Sequence, residues 1–265
     1  MSVPETHSSS LDPSAQKEKA SLNIMSGRTF HNTDSVYWLP NDDAENERLD
    51  RTVGADLDIA SEHPNCQFVG IDISDVFPKE NRPPNVHFQT GNALERLPFD
   101  DNTFDFISLR FLILAFRVEE WPVALKELHR VLKPGGVIES MECGQLESGG
   151  DFIQDLAGRV TVFMESRGQD PHVPLRIPRH LQDAGFEVIE TNKENIYLGQ
   201  SDPTNRAFLS DVISIYKGIK PFMAVQLNLQ TDKEYDDFLV RLAIECQQEP
   251  EAIWSMFSTL ARKPL

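Results

Sequence analysis

The chain has 265 residues, 40% of them hydrophobic, which is enough for one large domain with a buried core. The formal net charge is −17, with 42 acidic residues against 25 basic ones. A surface of this sign repels phosphate backbones, so we expect no nucleic-acid partner. A small molecule or a basic protein segment suits it better, although the excess of acids can also serve solubility alone.

The cysteines and the apolar stretches restrict the cellular setting. Cys66, Cys143 and Cys246 are far apart and odd in number, which argues against a disulfide framework and for a reducing compartment. No Cys/His spacing suggests a metal site. The longest apolar stretch, 104–116, is too short for a membrane span, and the N-terminus has no apolar signal core. We expect a soluble, cytoplasmic or nuclear protein with no metal and no membrane partner.

Residues 1–26 are rich in Ser, Pro, Glu and Lys, and this composition predicts a disordered tail. One folded domain is expected from residue 27 to residue 265. A charged helix should begin near Asn41 or Asp42, either of which can cap it. A second helix is expected from Ala55 to His63, where Pro64 stops it.

Short apolar or β-branched runs bounded by turn residues predict strands. They are Phe68–Ile73, Val86–Gln89, Phe104–Leu109 and Val137–Met141. The first run is continuously apolar, which predicts a strand buried on both faces.

Between the last two strands, Trp121–Leu132 carries its apolar residues at helical spacing, with Pro122 in the first turn. Strands that alternate with helices predict an α/β fold with a mostly parallel sheet.

The second half of the chain alternates in the same way. The patterns predict helices at Asp151–Ser166, from Ile177 to a Gly185 stop, at Ala207–Tyr216 and at Asp232–Gln247. Loops are expected at 145–150 and at 167–178. A strand is expected from Phe186, and Ser255–Ala261 is either the last strand or a helix end.

Asp72 stands at the end of the first predicted strand. Ligands of open α/β sheets bind at the carboxyl ends of strands, and an acid there can accept both hydroxyls of a ribose. The alternative is a strand-end acid that caps the turn following it.

The order of several motifs resembles the class I S-adenosylmethionine-dependent methyltransferases. They are Gly70-Ile-Asp72-Ile-Ser, Gly91-Asn92-Ala93, Leu97-Pro-Phe-Asp-Asp-Asn-Thr-Phe-Asp105 and Leu132-Lys-Pro-Gly-Gly136. Arg28-Thr-Phe-His-Asn32 and Tyr37-Trp-Leu-Pro-Asn-Asp42 are similar to the N-terminal segment of fungal methyltransferases related to secondary-metabolism regulators. The resemblance is densest from Pro64 to Glu142.

The resemblance implies a Rossmann-like sheet with an antiparallel last strand at its edge. It also implies S-adenosyl-L-methionine as cofactor and a small molecule or protein as methyl acceptor. The family core would span 64–142, with variable substrate-cap elements at about 145–180 and 200–250. Methyl transfer from a sulfonium needs mainly alignment in a dry pocket, so no catalytic residue is assigned.

The resemblance also implies roles for residues at the strand ends. Asp72 would bind the ribose and Ile73 would pack on the adenine, although core packing is an alternative for Ile73. Asn92 would accept from the adenine amino group, helped by the backbone N–H of Ala93; the alternative is an ordinary turn asparagine.

Two further residues are candidates for the cofactor pocket. Arg110 directly follows the Phe104–Leu109 strand and would hold the cofactor carboxylate or a substrate anion; pairing with a nearby acid is equally open. Tyr37 belongs to the N-terminal segment that folds against the cofactor pocket in the family, and simple packing of an N-terminal arm is as good an interpretation.

The family carries a strand and a Gly-rich turn before the Asp72 strand, and this chain lacks an apolar run before Gly54. A strand with its turn needs about ten residues, and there is no room for them. Three explanations are open: omitted coding sequence, a degenerate protein that serves as a catalytically inactive binding or regulatory partner, or substitution of the strand by Val36–Leu39. A nicotinamide-dependent dehydrogenase is less suitable, because it too needs a Gly-rich fingerprint.

Overall fold

A computed structural model describes residues 23–25, 27–30, 35–42, 44–45, 57–75, 77–78 and 82–265. Of the predicted tail, residues 1–22 and 26 lie outside the described residues, whereas residues 23–25 form a strand. Residues 46–56, before the Asp72 strand, also lie outside the described residues. Residues 57–62 are helical, which agrees with the helix predicted before Pro64.

The strands in chain order are β1 (Asn23–Met25), β2 (Arg28–Phe30), β3 (Phe68–Asp72), β4 (Val86–Thr90), β5 (Phe104–Arg110), β6 (Leu132–Ser148), β7 (Glu187–Tyr197) and β8 (Ile253–Arg262). The helices that follow β5 are α1 (Trp121–Val131), α2 (Asp151–Ser166), α3 (Val173–Asp183), α4 (Pro203–Gly218), α5 (Lys220–Gln226) and α6 (Asp232–Gln248).

The described strands form three sheets. The β1–β2 hairpin turns at Gly27, and β3 pairs with β4 in parallel. The largest sheet has the order β5-β6-β8-β7, in which β5 and β6 are parallel and β8 runs antiparallel to both of its neighbours. The α/β class and the antiparallel last strand are therefore confirmed. The expected position of that strand at the edge is wrong, because β8 lies between β6 and β7.

The predicted helices at α1, α2, α4 and α6 are confirmed, and the loop predicted at 167–178 is shorter than expected. Helix α3 begins at Val173, with Pro174 in its first turn and Pro178 inside it. Proline suits the first turn of a helix because the N–H it lacks has no partner there. Helix α5 was missed, because its seven residues are too few for a periodic pattern.

Strand β3 is not buried on both faces as its apolar run predicted. Phe68, Val69 and Ile71 are only half-buried. In the part of the chain that the structure describes, β4 is the one strand paired with β3, and β5 is an edge strand whose Phe106 is 53% exposed. The missing strand remains a prediction, since most of the region concerned is not described.

The N-terminal arm, residues 35–40, is non-strand structure, so the suggestion that Val36–Leu39 replaces a strand is wrong. Its Trp38 is 2% exposed and packs edge-on against Phe163 of α2, at 4.9 Å between ring centroids, and against Phe222 of α5. Apolar burial thus attaches the arm to the helices.

Candidate functional site

The carboxyl ends of β3 and β4 form one edge. Asp72 pairs in register with Thr90, and the backbone N–H of Gly91 donates to the carbonyl oxygen of Asp72 at 2.9 Å. A Cβ on Gly91 would lie 2.9 Å from Cγ2 of Ile71, so glycine permits this close approach. The edge therefore brings Asp72 close to the segment that begins with Asn92.

Asp72 is exposed at the end of β3, and its Oδ1 accepts a hydrogen bond from the Ser74 N–H at 2.8 Å. This contact matches the turn-capping alternative. It leaves the ligand role open, because an ionised carboxylate offers about four lone-pair sites.

Ile73 is 46% exposed beside Asp72. Core packing, the alternative for this residue, is excluded by that exposure. This edge therefore exposes an apolar side chain next to a carboxylate.

Asn92 is half-buried, and its Oδ1 accepts the N–H of Leu94 at 3.0 Å. It therefore does act as a turn asparagine, and a second lone pair on the same oxygen can still accept from a ligand. Ala93 is half-buried and packs against the hydrophobic core.

The remaining two predicted residues belong to other parts of the fold. Arg110 ends β5, is half-buried and lies with its guanidinium carbon 5.9 Å from the centroid of the Phe111 ring. Tyr37 is half-buried in the N-terminal arm and packs against the core. The structure thus groups four of the six predicted residues, Asp72, Ile73, Asn92 and Ala93, at one edge, whereas Arg110 ends a strand of another sheet and Tyr37 lies in the N-terminal arm.

Sequence reasoning missed Glu142, which is 1% exposed on β6. Its Oε1 accepts the N–H of Leu112 and its Oε2 accepts the N–H of Ile113, both at 2.9 Å. Burial raises the pKa of the carboxyl to about 8, while the two N–H donors act in the opposite direction. The available signal was an acid directly after the apolar run Val137–Met141.

A groove of about 520 Å³ lies between residues 94–96 and the outer face of α1. None of the six predicted cofactor residues lines it. Among the described residues, no three His, Cys, Asp or Glu side chains are grouped as metal ligands. No described helix combines the length and apolar character needed to cross a bilayer.

Comparison with known proteins gives a match to the family described as methyltransferase domain over residues 53–136. The demethylmenaquinone methyltransferase of Staphylococcus haemolyticus (strain JCSC1435) is 46% identical over 61 residues, covering 23% of this chain and 24% of that protein. Its counterpart in Staphylococcus aureus (strain JH9) is 39% identical over 87 residues, which cover 31% of this chain and 35% of that protein. The chain spans about a quarter to a third of the length of these curated relatives.

Among solved structures, phosphoethanolamine N-methyltransferase 2 of Haemonchus contortus in complex with S-adenosyl-L-methionine is 18% identical, with a TM-score of 0.46. That likeness covers 78% of this chain and 45% of the Haemonchus chain. Five of the six predicted cofactor residues, all except Tyr37, lie inside the matched segment. The sequence similarity to the methyltransferase domain family therefore covers residues 53–136.

Proposed function

We propose that the chain is an S-adenosylmethionine-dependent methyltransferase that acts on a small molecule or a protein. The observation that carries the proposal is the hydrogen bond from the Gly91 N–H to the Asp72 carbonyl inside the methyltransferase segment. It joins the ends of β3 and β4, so that one acid and one amide side chain share an edge. Ligands of parallel sheets bind at such an edge.

The residues at this edge suit the adenosine half of the cofactor. Asp72 would accept hydrogen bonds from the ribose hydroxyls, and the exposed Ile73 would cover one face of the adenine. Asn92 would accept from the adenine amino group, and the backbone N–H of Ala93 would donate to the ring. Arg110 and Tyr37 are proposed to contact the rest of the cofactor.

The bound cofactor would supply a methyl group on a positively charged sulfur. The contribution of the protein is to hold donor and acceptor in line and exclude water, an effect worth up to about 7–11 kcal/mol when alignment is good. This chemistry needs no obligatory general base, so the proposal names binding residues and no catalytic one.

The relation to fungal secondary-metabolism regulators is proposed on the N-terminal motifs. Arg28, from the first motif, donates to both carboxylate oxygens of Asp42, from the second, at 2.5 and 2.7 Å. A bidentate pair of this kind fixes orientation as well as distance. It supports the treatment of the two motifs as one structural unit.

The cytoplasmic or nuclear location is also a proposal. It rests on Cys66, Cys143 and Cys246, none of which forms a disulfide within the described residues, in a chain whose sequence suggested no disulfide framework.

The test is a calorimetric titration of S-adenosylhomocysteine into the purified 265-residue chain, with circular dichroism to verify folding. Micromolar binding is expected. A folded chain that binds nothing would contradict the proposal and favour the inactive binding or regulatory protein. An unfolded product would support the prediction that a strand and a Gly-rich turn are missing.

A further inference from the structure

Glu142, a residue of β6, binds the turn that follows β5, residues 111–115. Both oxygens of that carboxyl accept backbone N–H groups of the turn, those of Leu112 and Ile113, at 2.9 Å each. The side chain is 1% exposed. Withdrawing a carboxyl from water is costly, so this contact has to be made with good geometry to be tolerated.

The same turn contains a strained residue. Phe111 has φ of 57°, in the left-handed region that large L-residues avoid. Its N–H donates to the carbonyl oxygen of Met141 at 3.0 Å. Three consecutive amides of the turn are thus bound by Met141 and Glu142. Strained backbone persists only where surrounding contacts over-determine it, and such positions cluster at functional sites.

A second buried side chain holds the turn from the helical side. Gln169, 1% exposed between α2 and α3, donates through Nε2 to the carbonyl oxygen of Leu114 at 2.6 Å. Its Oε1 accepts from Nε1 of Trp38 at 3.1 Å. The N-terminal arm, Gln169 and the turn therefore form one hydrogen-bonded series through the protein interior.

We propose that Glu142 and Gln169 are positioning residues of the methyl-transfer site, which clamp the turn 111–115 at the carboxyl end of β5. The inference rests on the proposed function, in which Arg110, directly before the turn, would hold the carboxylate at the amino-acid end of the donor. In the same proposal Asp72 and Asn92, on the other sheet, would hold the adenosine end. Because β5 ends at Arg110, the clamped turn is the first backbone beyond the strand, on the side of the sheet where ligands bind.

A purely structural role for the same contacts would lower stability and leave ligand selectivity unchanged. The two roles differ in which ligand a variant loses. S-adenosylhomocysteine carries an amino-acid end, whereas 5′-methylthioadenosine carries the same adenosine without it. Loosening the turn should weaken the first ligand and spare the second.

The experiment measures the Kd of both ligands by calorimetry for the full chain, Glu142→Gln and Gln169→Leu, at a temperature where thermal unfolding shows each to be folded. Both variants are expected to bind S-adenosylhomocysteine at least about tenfold more weakly, a change of about 1.4 kcal/mol. The Kd of 5′-methylthioadenosine should stay within about twofold of the wild-type value.

The matched control is Glu127→Gln. Glu127 also accepts a backbone N–H, that of Leu97 at 2.7 Å, which lies before β5 and not in the turn after it. Hydrogen exchange should accelerate at Leu112 and Ile113 in Glu142→Gln and not in the control. If Glu142→Gln fails to fold, the Kd values of the two ligands for Gln169→Leu test the proposal.

The outcomes separate the two proposals. A wild-type chain that binds neither ligand contradicts the proposed function. A wild-type chain that binds both, with folded variants that lose both equally or lose neither, overturns the clamp alone.

Discussion

Glu127 and Arg130 lie one turn apart on α1, and their side chains meet in a bidentate pair, at 2.5 Å from Nη2 to Oε1 and 2.9 Å from Nε to Oε2. Arg130 also donates to the carbonyl oxygens of Leu97 and Phe99, at 3.2 and 2.9 Å. Glu127 accepts the Leu97 N–H. The pair therefore attaches the turn that precedes β5 to helix α1, which follows β5.

Arg130→Met should destabilise the protein by about 1.5–3 kcal/mol, because charged hydrogen bonds are lost and Glu127 is left without its main partner. The measurement is the free energy of unfolding in urea. Arg96→Met is the control, since its ion pair with Asp101 has side chains that are 69% and 60% exposed. It should cost less than about 1 kcal/mol. Equal losses in the two variants would argue against the fastening role.

The buried Glu142 should make stability depend on pH with an unusual sign. Its pKa in the folded protein, about 8, is above the ordinary value of 4.5, so the folded state holds the proton more tightly than the unfolded chain. The contribution of this group to the free energy of unfolding is complete below pH 4.5 and is lost as pH rises towards 8. The free energy of unfolding should fall by at most about 1.4 kcal/mol per pH unit because of this group.

Glu142→Gln cannot titrate, so the difference in unfolding free energy between variant and wild type should shift in favour of the variant as pH rises through that window. Urea unfolding of both proteins at about pH 5 and about pH 8 measures the difference. Parallel pH profiles of the two proteins would exclude a raised pKa at this position.

A third prediction concerns close packing between β3 and β4. A Cβ at Gly70 would lie 2.4 Å from Cδ1 of Phe88, whose ring also stacks on Phe77 at 5.1 Å. Gly70→Ala should therefore displace the ring and cost about 1–3 kcal/mol. Gly158→Ala, in α2, meets nothing within 4 Å and should be neutral or stabilise by up to about 1 kcal/mol. Thermal unfolding compares them, and a neutral Gly70→Ala would contradict the packing.

The exposed side chain of Phe106 predicts a small mutational effect. Phe106→Ala should cost under about 1 kcal/mol, because the residue is already 53% exposed on β5. Phe186→Ala removes a ring that is 4% exposed and packs on His129, and it should cost about 3–5 kcal/mol. If both variants lower the free energy of unfolding in urea by the same amount, the face of β5 that carries Phe106 is covered in solution.

Local patterns in the sequence predicted much of the fold. Trp121 to Val131 repeats apolar residues at helical spacing, and the structure buries Trp121, Ala124, Leu125, Leu128 and Val131. The start of α3 could not be predicted as easily, because Pro174 and Pro178 normally indicate a loop. The half-burial of β3 depends on its neighbours in the sheet, which its own apolar residues do not specify.

The candidate site also contains residues whose placement the sequence could predict and residues whose placement it could not. Asp72 and Asn92 follow predicted strands, and strand ends meet at one edge of a parallel sheet, so their proximity could be expected. Glu142 reaches amides 30 and 29 positions away, and Gln169 accepts from Trp38 at a separation of 131. No local pattern encodes contacts of that range, so the clamp became visible only in the folded chain.

The ligand role of Asp72 gives the last prediction. Asp72→Asn keeps an oxygen that can accept the Ser74 N–H, so the turn after β3 should survive. The variant loses the charge that would strengthen hydrogen bonds from a ribose, and such bonds are worth about 1.5–3 kcal/mol. Binding of S-adenosylhomocysteine should therefore weaken by about 10- to 100-fold, measured by calorimetry.

Asp105→Asn is the matched control for this variant. Asp105 is also an acid on a strand, but its carboxylate is 84% exposed and pairs with Lys133 at 2.8 Å on β6. Its replacement should leave the Kd of S-adenosylhomocysteine within about twofold of wild type. If Asp72→Asn binds as tightly as this control, the carboxylate does no more than cap the turn, and the ribose must be held by other groups.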